Sequence, residues 1–200
     1  MKFTTHQLVT MAVFGALWGV LEIGLGSVLH AIKIPLTGLT LTAIGLLVAL
    51  IGRLFVPKRG STFFIGVIAM LLKLFSIGNI LLGPMIGILT EALVAELILD
   101  IFPEPTRLAF ILAVAGGALW TLFQPFVTGL LIFGRSLVAV WLDTIDQGSR
   151  LFGLSNQAAL WIVSALVLLY LAVGAVVGWL AWSLGQLVSI RLRGHSPKND

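Results

Sequence analysis

Long apolar runs near 7–30, 37–56, 61–82, 85–101, 107–133 and 157–190 fill most of this sequence, and little polar chain is left between them. About 20 such residues suffice to cross the roughly 30 Å hydrocarbon core of a bilayer as a helix. Only 10% of the 200 residues are charged, and mean hydropathy is +1.12. Soluble domains carry about 25% charged residues, so an ordinary soluble domain is excluded. The fold expected is an all-α integral membrane protein, a compact bundle of six transmembrane helices forming one domain over 1–200. The first run follows Met1-Lys2 directly and continues past signal-peptide length without an AxA-like cleavage site, which reads as a retained first helix. Thr4 with Gln7 fits a capping box at its start, and Pro57, Pro84, Pro103 and Pro105 fall where helices should stop or begin.

The bases set an orientation, because Lys and Arg near span ends collect in the cytoplasm. With the N-terminus inside, Lys2, Arg53, Lys58, Arg59, Arg107, Arg191, Arg193 and Lys198 lie inside, and only Lys33, Arg135 and Arg150 lie outside. Both termini are therefore expected in the cytoplasm of a multi-pass cell-membrane protein. The bases are scattered between apolar segments and form no aromatic-interleaved patch, which argues against nucleic acid as a partner. Between the fifth and sixth runs, the external segment 135–156 is too polar to cross. Its stretch from Ser136 to Ile145 has helical spacing, suited to a short interfacial helix or to an extension of the fifth span.

The chain contains no cysteine and no GxxxxGK[ST] phosphate loop, so a disulfide framework and self-supplied ATP binding are both excluded. HExxH and GxSxG are absent too, and His6, His30 and His195 stand far apart, so neither an enzyme nor a metal site is expected. Ionisable residues within the runs are the informative exceptions, since each costs roughly 2.5–3.5 kcal/mol at mid-helix unless paired or solvated. They are Glu22, Lys73, Glu91 and Glu96. At about 1.5 Å of rise per residue, Glu22, Lys73 and Glu91 reach similar heights at or above the midplane. Lys73 and Glu91 are expected to pair across adjacent antiparallel helices, which leaves Glu22 without an unshared counter-charge. If all three are ionised, the trio carries a net −1 and suits a ligand with an amine, a ring cation or several hydrogen-bond donors. Glu96 points elsewhere on its helix and is assigned to packing or partner contact.

Asn79, Trp120, Gln124 and Trp18 fall at similar height and complete the candidate substrate-binding set, while Trp161, Trp179 and Trp182 read as interface anchors. Pro125 has no N–H to give the carbonyl four residues earlier, a common feature of cavity-lining helices. Small residues form a second pattern: Ala12, Gly15, Ala16 and Gly19 make a stripe on the first helix, and Gly174 with Gly178 repeats it on the sixth. Such stripes admit close helix approach, either within the bundle or against a partner.

With Ala12-Val-Phe-Gly-Ala16 as an AxxxA and the stretch from Lys33 to Thr42 as a proline-glycine-threonine lead into the second helix, the chain resembles the substrate-binding (S) component of energy-coupling factor (ECF) transporters, the vitamin-uptake ABC systems. The resemblance implies capture of a vitamin or related micronutrient from outside, in a pocket under the external loops that His30 to Gly38 helps close. It also implies delivery by toppling in the membrane, attached to a transmembrane coupling (T) protein and a pair of ABC ATPases that use the ATP. Ala12 and Ala16, with Gly15 and Gly19 in the same stripe, would dock the coupling protein, with membrane lipid around the rest. The N-terminal histidine arrangement of the nickel and cobalt members is absent. The alternative from another class is a proton-coupled secondary transporter of a small polar or cationic solute, with Glu22 or Glu91 as carrier; no inverted repeat or broken helix is evident for it.

Overall fold

The protein is described by a computed structural model over residues 2–32, 34–76 and 82–194; for His30 and 192–194 it describes the backbone only. Among these residues the secondary structure is all helical: α1 (Thr5–Ala31), α2 (Thr37–Phe55), α3 (Ser61–Leu72), α4 (Leu82–Asp100), α5 (Arg107–Leu131), α6 (Leu137–Phe152) and α7 (Ala159–Gly194). The expected capping box opens α1: Thr4 N–H donates to Gln7 Oε1 at 3.0 Å, and Gln7 N–H to Thr4 Oγ1 at 3.3 Å.

By length and composition, five helical stretches among the described residues are long and apolar enough to cross a membrane: Thr5–Leu29, Thr37–Phe55, Leu82–Asp100, Arg107–Leu131 and Asn156–Arg191. The third run departs from the expected span of 61–82. Its α-helix ends at Leu72, a 3-10 turn covers Lys73–Phe75, and Ser76 is extended. Ser76, Gly78 and Asn79 favour turns over helix, but the apolar residues around them concealed the stop in a reading by hydropathy. The polar segment before α7 forms a separate helix, α6, set off from α5 by Gly134 in the left-handed region (φ 61°) and capped by Ser136 Oγ, which accepts from Ala139 N–H at 3.1 Å. Val140, Ile145 and Gly148 of α6 are buried, while Leu137, Val138, Trp141 and Leu142 face outward.

Packing depends on missing side chains. Gly15 and Gly19 place α1 directly on α3: a Cβ there would lie 2.7 Å from Ile68 Cβ and 2.8 Å from Leu72 Cβ. Gly174 and Gly178 do the same for α7 on α5, where a Cβ would lie 2.5 Å from Ala115 Cα or from the Phe110 carbonyl. Helix α2 runs through the interior with Leu46, Ala49 and Leu50 fully buried. Large apolar side chains face outward instead, among them Val9, Val13 and Val20 on α1 and Leu160, Trp161 and Leu168 on α7. A surface so rich in exposed hydrophobics suits lipid or a partner and not water.

One end of the bundle collects bases. Lys58 Nζ donates to Gln7 Oε1 at 3.0 Å and to the Lys2 carbonyl at 3.4 Å, and Arg59 reaches the Asp100 carbonyl. Glu96 lies in this end, fully internal. It pairs with Arg53 (Nη1–Oε1 2.9 Å) and accepts from the N–H groups of Gly60, Thr62 and Phe63 at 2.6, 2.8 and 3.2 Å. The carboxylate thus serves the orphan donors at the start of α3 and meets the positive end of that helix. Arg53 is itself buried and also donates to Ser61 Oγ at 3.0 Å and to the Lys58 carbonyl. Of the two roles expected for Glu96, packing is the one observed.

Candidate binding cavity

Toward the opposite end from this basic cluster, the helices leave a cavity of about 240 Å³, room for about eight waters at their liquid volume. Glu22 of α1, Lys73 at the end of α3, Glu91 of α4 and Gln124 of α5 all line it. The three ionisable residues placed at one height by counting helical rise are therefore brought together.

Their pairing differs from the sequence expectation. Lys73 Nζ lies 3.4 Å from Glu22 Oε1 and 3.4 Å from the Glu22 carbonyl, so the ammonium pairs with α1 and not with Glu91. Two local features explain it. Helix α3 packs on α1 through the glycine stripe, and Gly26, one turn beyond Glu22, leaves space in which a Cβ would sit 3.6 Å from Lys73 Nζ. The expected Lys73–Glu91 pair is corrected accordingly, and so is the reading of Glu22 as the acid lacking a counter-charge.

Glu91 is buried and, among the described residues, has no cationic partner within ion-pair distance. Its Oε1 accepts instead from Thr42 Oγ1 at 2.9 Å and Thr121 Oγ1 at 3.0 Å, and the two hydroxyls lie 3.0 Å apart. Each hydroxyl also sits within hydrogen-bond distance of the carbonyl four residues earlier, Gly38 at 2.9 Å and Gly117 at 3.0 Å. A hydroxyl carries one proton, so two protons cannot serve Glu91 and both carbonyls at once. The carboxylate keeps acceptor capacity facing a cavity. Thr42 and Thr121 escaped the reading from sequence because a threonine in an apolar helix usually satisfies itself on that same carbonyl; the visible signal was only two threonines at the height of Glu91.

The remaining candidates divide. Gln124 lines the cavity and donates from Nε2 to the Gly83 carbonyl at 3.0 Å; a Cβ on Gly87 would meet its amide at 2.9 Å. Trp120 is half-buried, outside the cavity wall, and donates from Nε1 to Thr90 Oγ1 at 2.7 Å. Trp18 is a core residue, 1% exposed, with its indole laid over Gly45. Trp161 and Trp179 are exposed, whereas Trp182 packs edge-on against Phe110 with ring centroids 5.3 Å apart. Asn79 lies outside the described residues. Of the small-residue stripe, Gly15 and Gly19 are covered by α3, Ala12 is exposed and Ala16 is half-buried.

The Lys73–Glu22 pair gives a first prediction. Lys73→Met is expected to cost about 1.5–3 kcal/mol, the worth of a charge-assisted hydrogen bond. Glu22→Gln on top of it should recover part of the loss, while Glu91→Gln should recover none. Equilibrium unfolding of the single and double variants in detergent measures this, and recovery by Glu91→Gln would restore the pairing expected from sequence. No protein-family model, curated protein or solved structure matches this chain, so the geometry of the cavity carries the functional argument.

Proposed function

We propose that the chain is the membrane-embedded substrate-binding component of an ECF-type uptake transporter. In this reading six helices are membrane-embedded, α3 being the short one, and both termini face the cytoplasm. The basic end is the cytoplasmic one. The cavity then opens toward the exterior, captures a small solute of the vitamin class, and delivers it with a transmembrane coupling protein and a pair of ABC ATPases.

The observation that carries the proposal is the cavity itself. A buried carboxylate with unspent acceptor capacity, an ion pair and an amide converge on one cavity, the pattern of a small-molecule site. Backbone that leaves the helix within a membrane is tolerated where it lines a cavity, and the turn at Lys73 does so. Of the stretch His30 to Gly38, which the resemblance implies helps close the pocket, the residues Ile34 to Gly38 line an adjoining space.

Docking to the coupling protein belongs to Ala12 and Ala16, on the uncovered side of α1 beside Val9 and Val13. Ala12→Leu is expected to change stability by no more than about 0.5 kcal/mol, since the side chain is exposed, yet to abolish co-purification with the coupling module. Gly15→Leu is expected to destabilise the isolated chain by about 1–3 kcal/mol or more, because it drives α1 off α3. Affinity capture from cells co-expressing the module, with melting curves on the same variants, separates the two effects. Normal assembly by Ala12→Leu would remove this face from docking. Proton-dependent uptake by the chain alone in liposomes would favour the secondary transporter.

A further inference from the structure

A second space of about 380 Å³ adjoins the cavity, and the two share Gly38, Thr121 and Gln124 in their walls. Their chemistry differs. Among the described residues the charged side chains of the inner chamber are Glu22, Lys73 and Glu91, a net −1 with both carboxylates ionised, and no charged side chain lines the outer one. The outer chamber is bounded by Pro35 and Leu36 ahead of α2 and Pro125 on α5, with Thr37 of α2, Gln147 of α6 and Tyr170 of α7 as polar members that do not line the inner one. Tyr170 is 5% exposed, and its hydroxyl makes no hydrogen bond to any described residue. The oxygen itself is not sealed in, so the phenol keeps an accessible donor and acceptor at the chamber. Pro125 likewise has no N–H for the Thr121 carbonyl, so the ridge between the chambers offers an acceptor.

We propose that the ligand is an elongated monocation, with a compact cationic group in the inner chamber against Glu91 and an uncharged, hydrogen-bonding ring passing Gln124 and Thr121 into the outer chamber beside Tyr170 and Gln147. This rests on the reading of the cavity as a ligand site. An anion is disfavoured by Glu91 and by the Glu22 carboxylate, which already holds Lys73, the one cation that lines the cavity among the described residues. A small cation alone leaves the outer chamber and the Tyr170 hydroxyl unused. Apolar walls with a few neutral polar groups suit a ring with a polar edge.

The test uses four probes on the purified full chain: tyramine, 4-ethylphenol, 4-hydroxyphenylacetate and propylamine, by equilibrium dialysis against empty micelles. Tyramine is expected to bind at least about ten-fold tighter than the anion and the neutral phenol, and about three- to ten-fold tighter than propylamine. Tyr170→Phe and Gln147→Ala should each shrink the margin of tyramine over propylamine by about two-fold or more; Gln147 is exposed, so its variant keeps the fold intact. Equal binding of 4-hydroxyphenylacetate overturns the cation assignment alone. An unchanged margin in both variants overturns the outer chamber alone. Binding by none of the four at millimolar concentration overturns the ligand-site reading together with the inference.

Discussion

Arg53→Met is expected to lower the stability of the protein by about 3–5 kcal/mol, the cost of stripping a buried charge of its partner. Arg53 is 6% exposed and Glu96 4%, and their 2.9 Å pair joins the end of α2 to α4. Without the guanidinium, Glu96 keeps the N–H groups of Gly60, Thr62 and Phe63 but loses its neutralising charge in a poorly solvated interior. Ser61 Oγ and the Lys58 carbonyl lose a donor as well, so the α2–α3 connection should loosen. Glu96→Gln in the Arg53→Met background is expected to restore part of the loss, because a neutral amide still accepts from the start of α3. Glu96→Gln alone leaves Arg53 buried with Asp100 3.6 Å away and should cost less than Arg53→Met. Denaturant titrations in micelles, followed by tryptophan emission, measure the cycle. A loss below about 1 kcal/mol for Arg53→Met would show that water reaches this network.

Glu91→Gln is the second large effect, and it falls on function. The variant keeps an acceptor oxygen for Thr42 and Thr121 and fills the same volume, so the fold should hold within about 1 kcal/mol. The charge that a cationic ligand meets is gone. A charge-assisted bond is worth about 1.5–3 kcal/mol, so affinity for the solute retained on gentle purification should fall about ten- to hundred-fold. Thr42→Val and Thr121→Val should act oppositely in kind: each removes a donor from Glu91 without changing the charge, and the loss should be less than about ten-fold. Isothermal titration of the retained solute onto stripped protein distinguishes the two outcomes. Equal affinity in Glu91→Gln would show that the carboxylate only braces α4 against α2 and α5.

Much of this site was legible in one dimension and not in the others. Helical rise placed Glu22, Lys73 and Glu91 at one height, and all three line one cavity. Which acid takes the lysine depends on the rotation of α3 about its axis and on the gap above Gly26, and neither is written in hydropathy. Arg53 and Glu96 stand 43 residues apart; read singly, one was a base at a span end and the other an acid assigned to packing or partner contact, with nothing to join them. The α1 stripe was visible, but exposure divides it, with Gly15 and Gly19 packed on α3 and Ala12 turned outward. The stop of α3 at Leu72 was hidden because leucine and phenylalanine continue through the turn, so composition changed little where geometry changed most. Trp18 was misplaced for a related reason. Its position one turn before Glu22 put it near the acids, but the missing side chain of Gly45 draws the indole into the core.

The most direct measurement of the central claim, that this cavity holds a small solute through Glu91, is native mass spectrometry of the gently purified chain and of Glu91→Gln. One small-molecule adduct per wild-type chain is expected, identifiable as a cation after release, with its loss from the variant at equal protein recovery. A bare wild-type chain, or an adduct carried equally by both proteins, would contradict it.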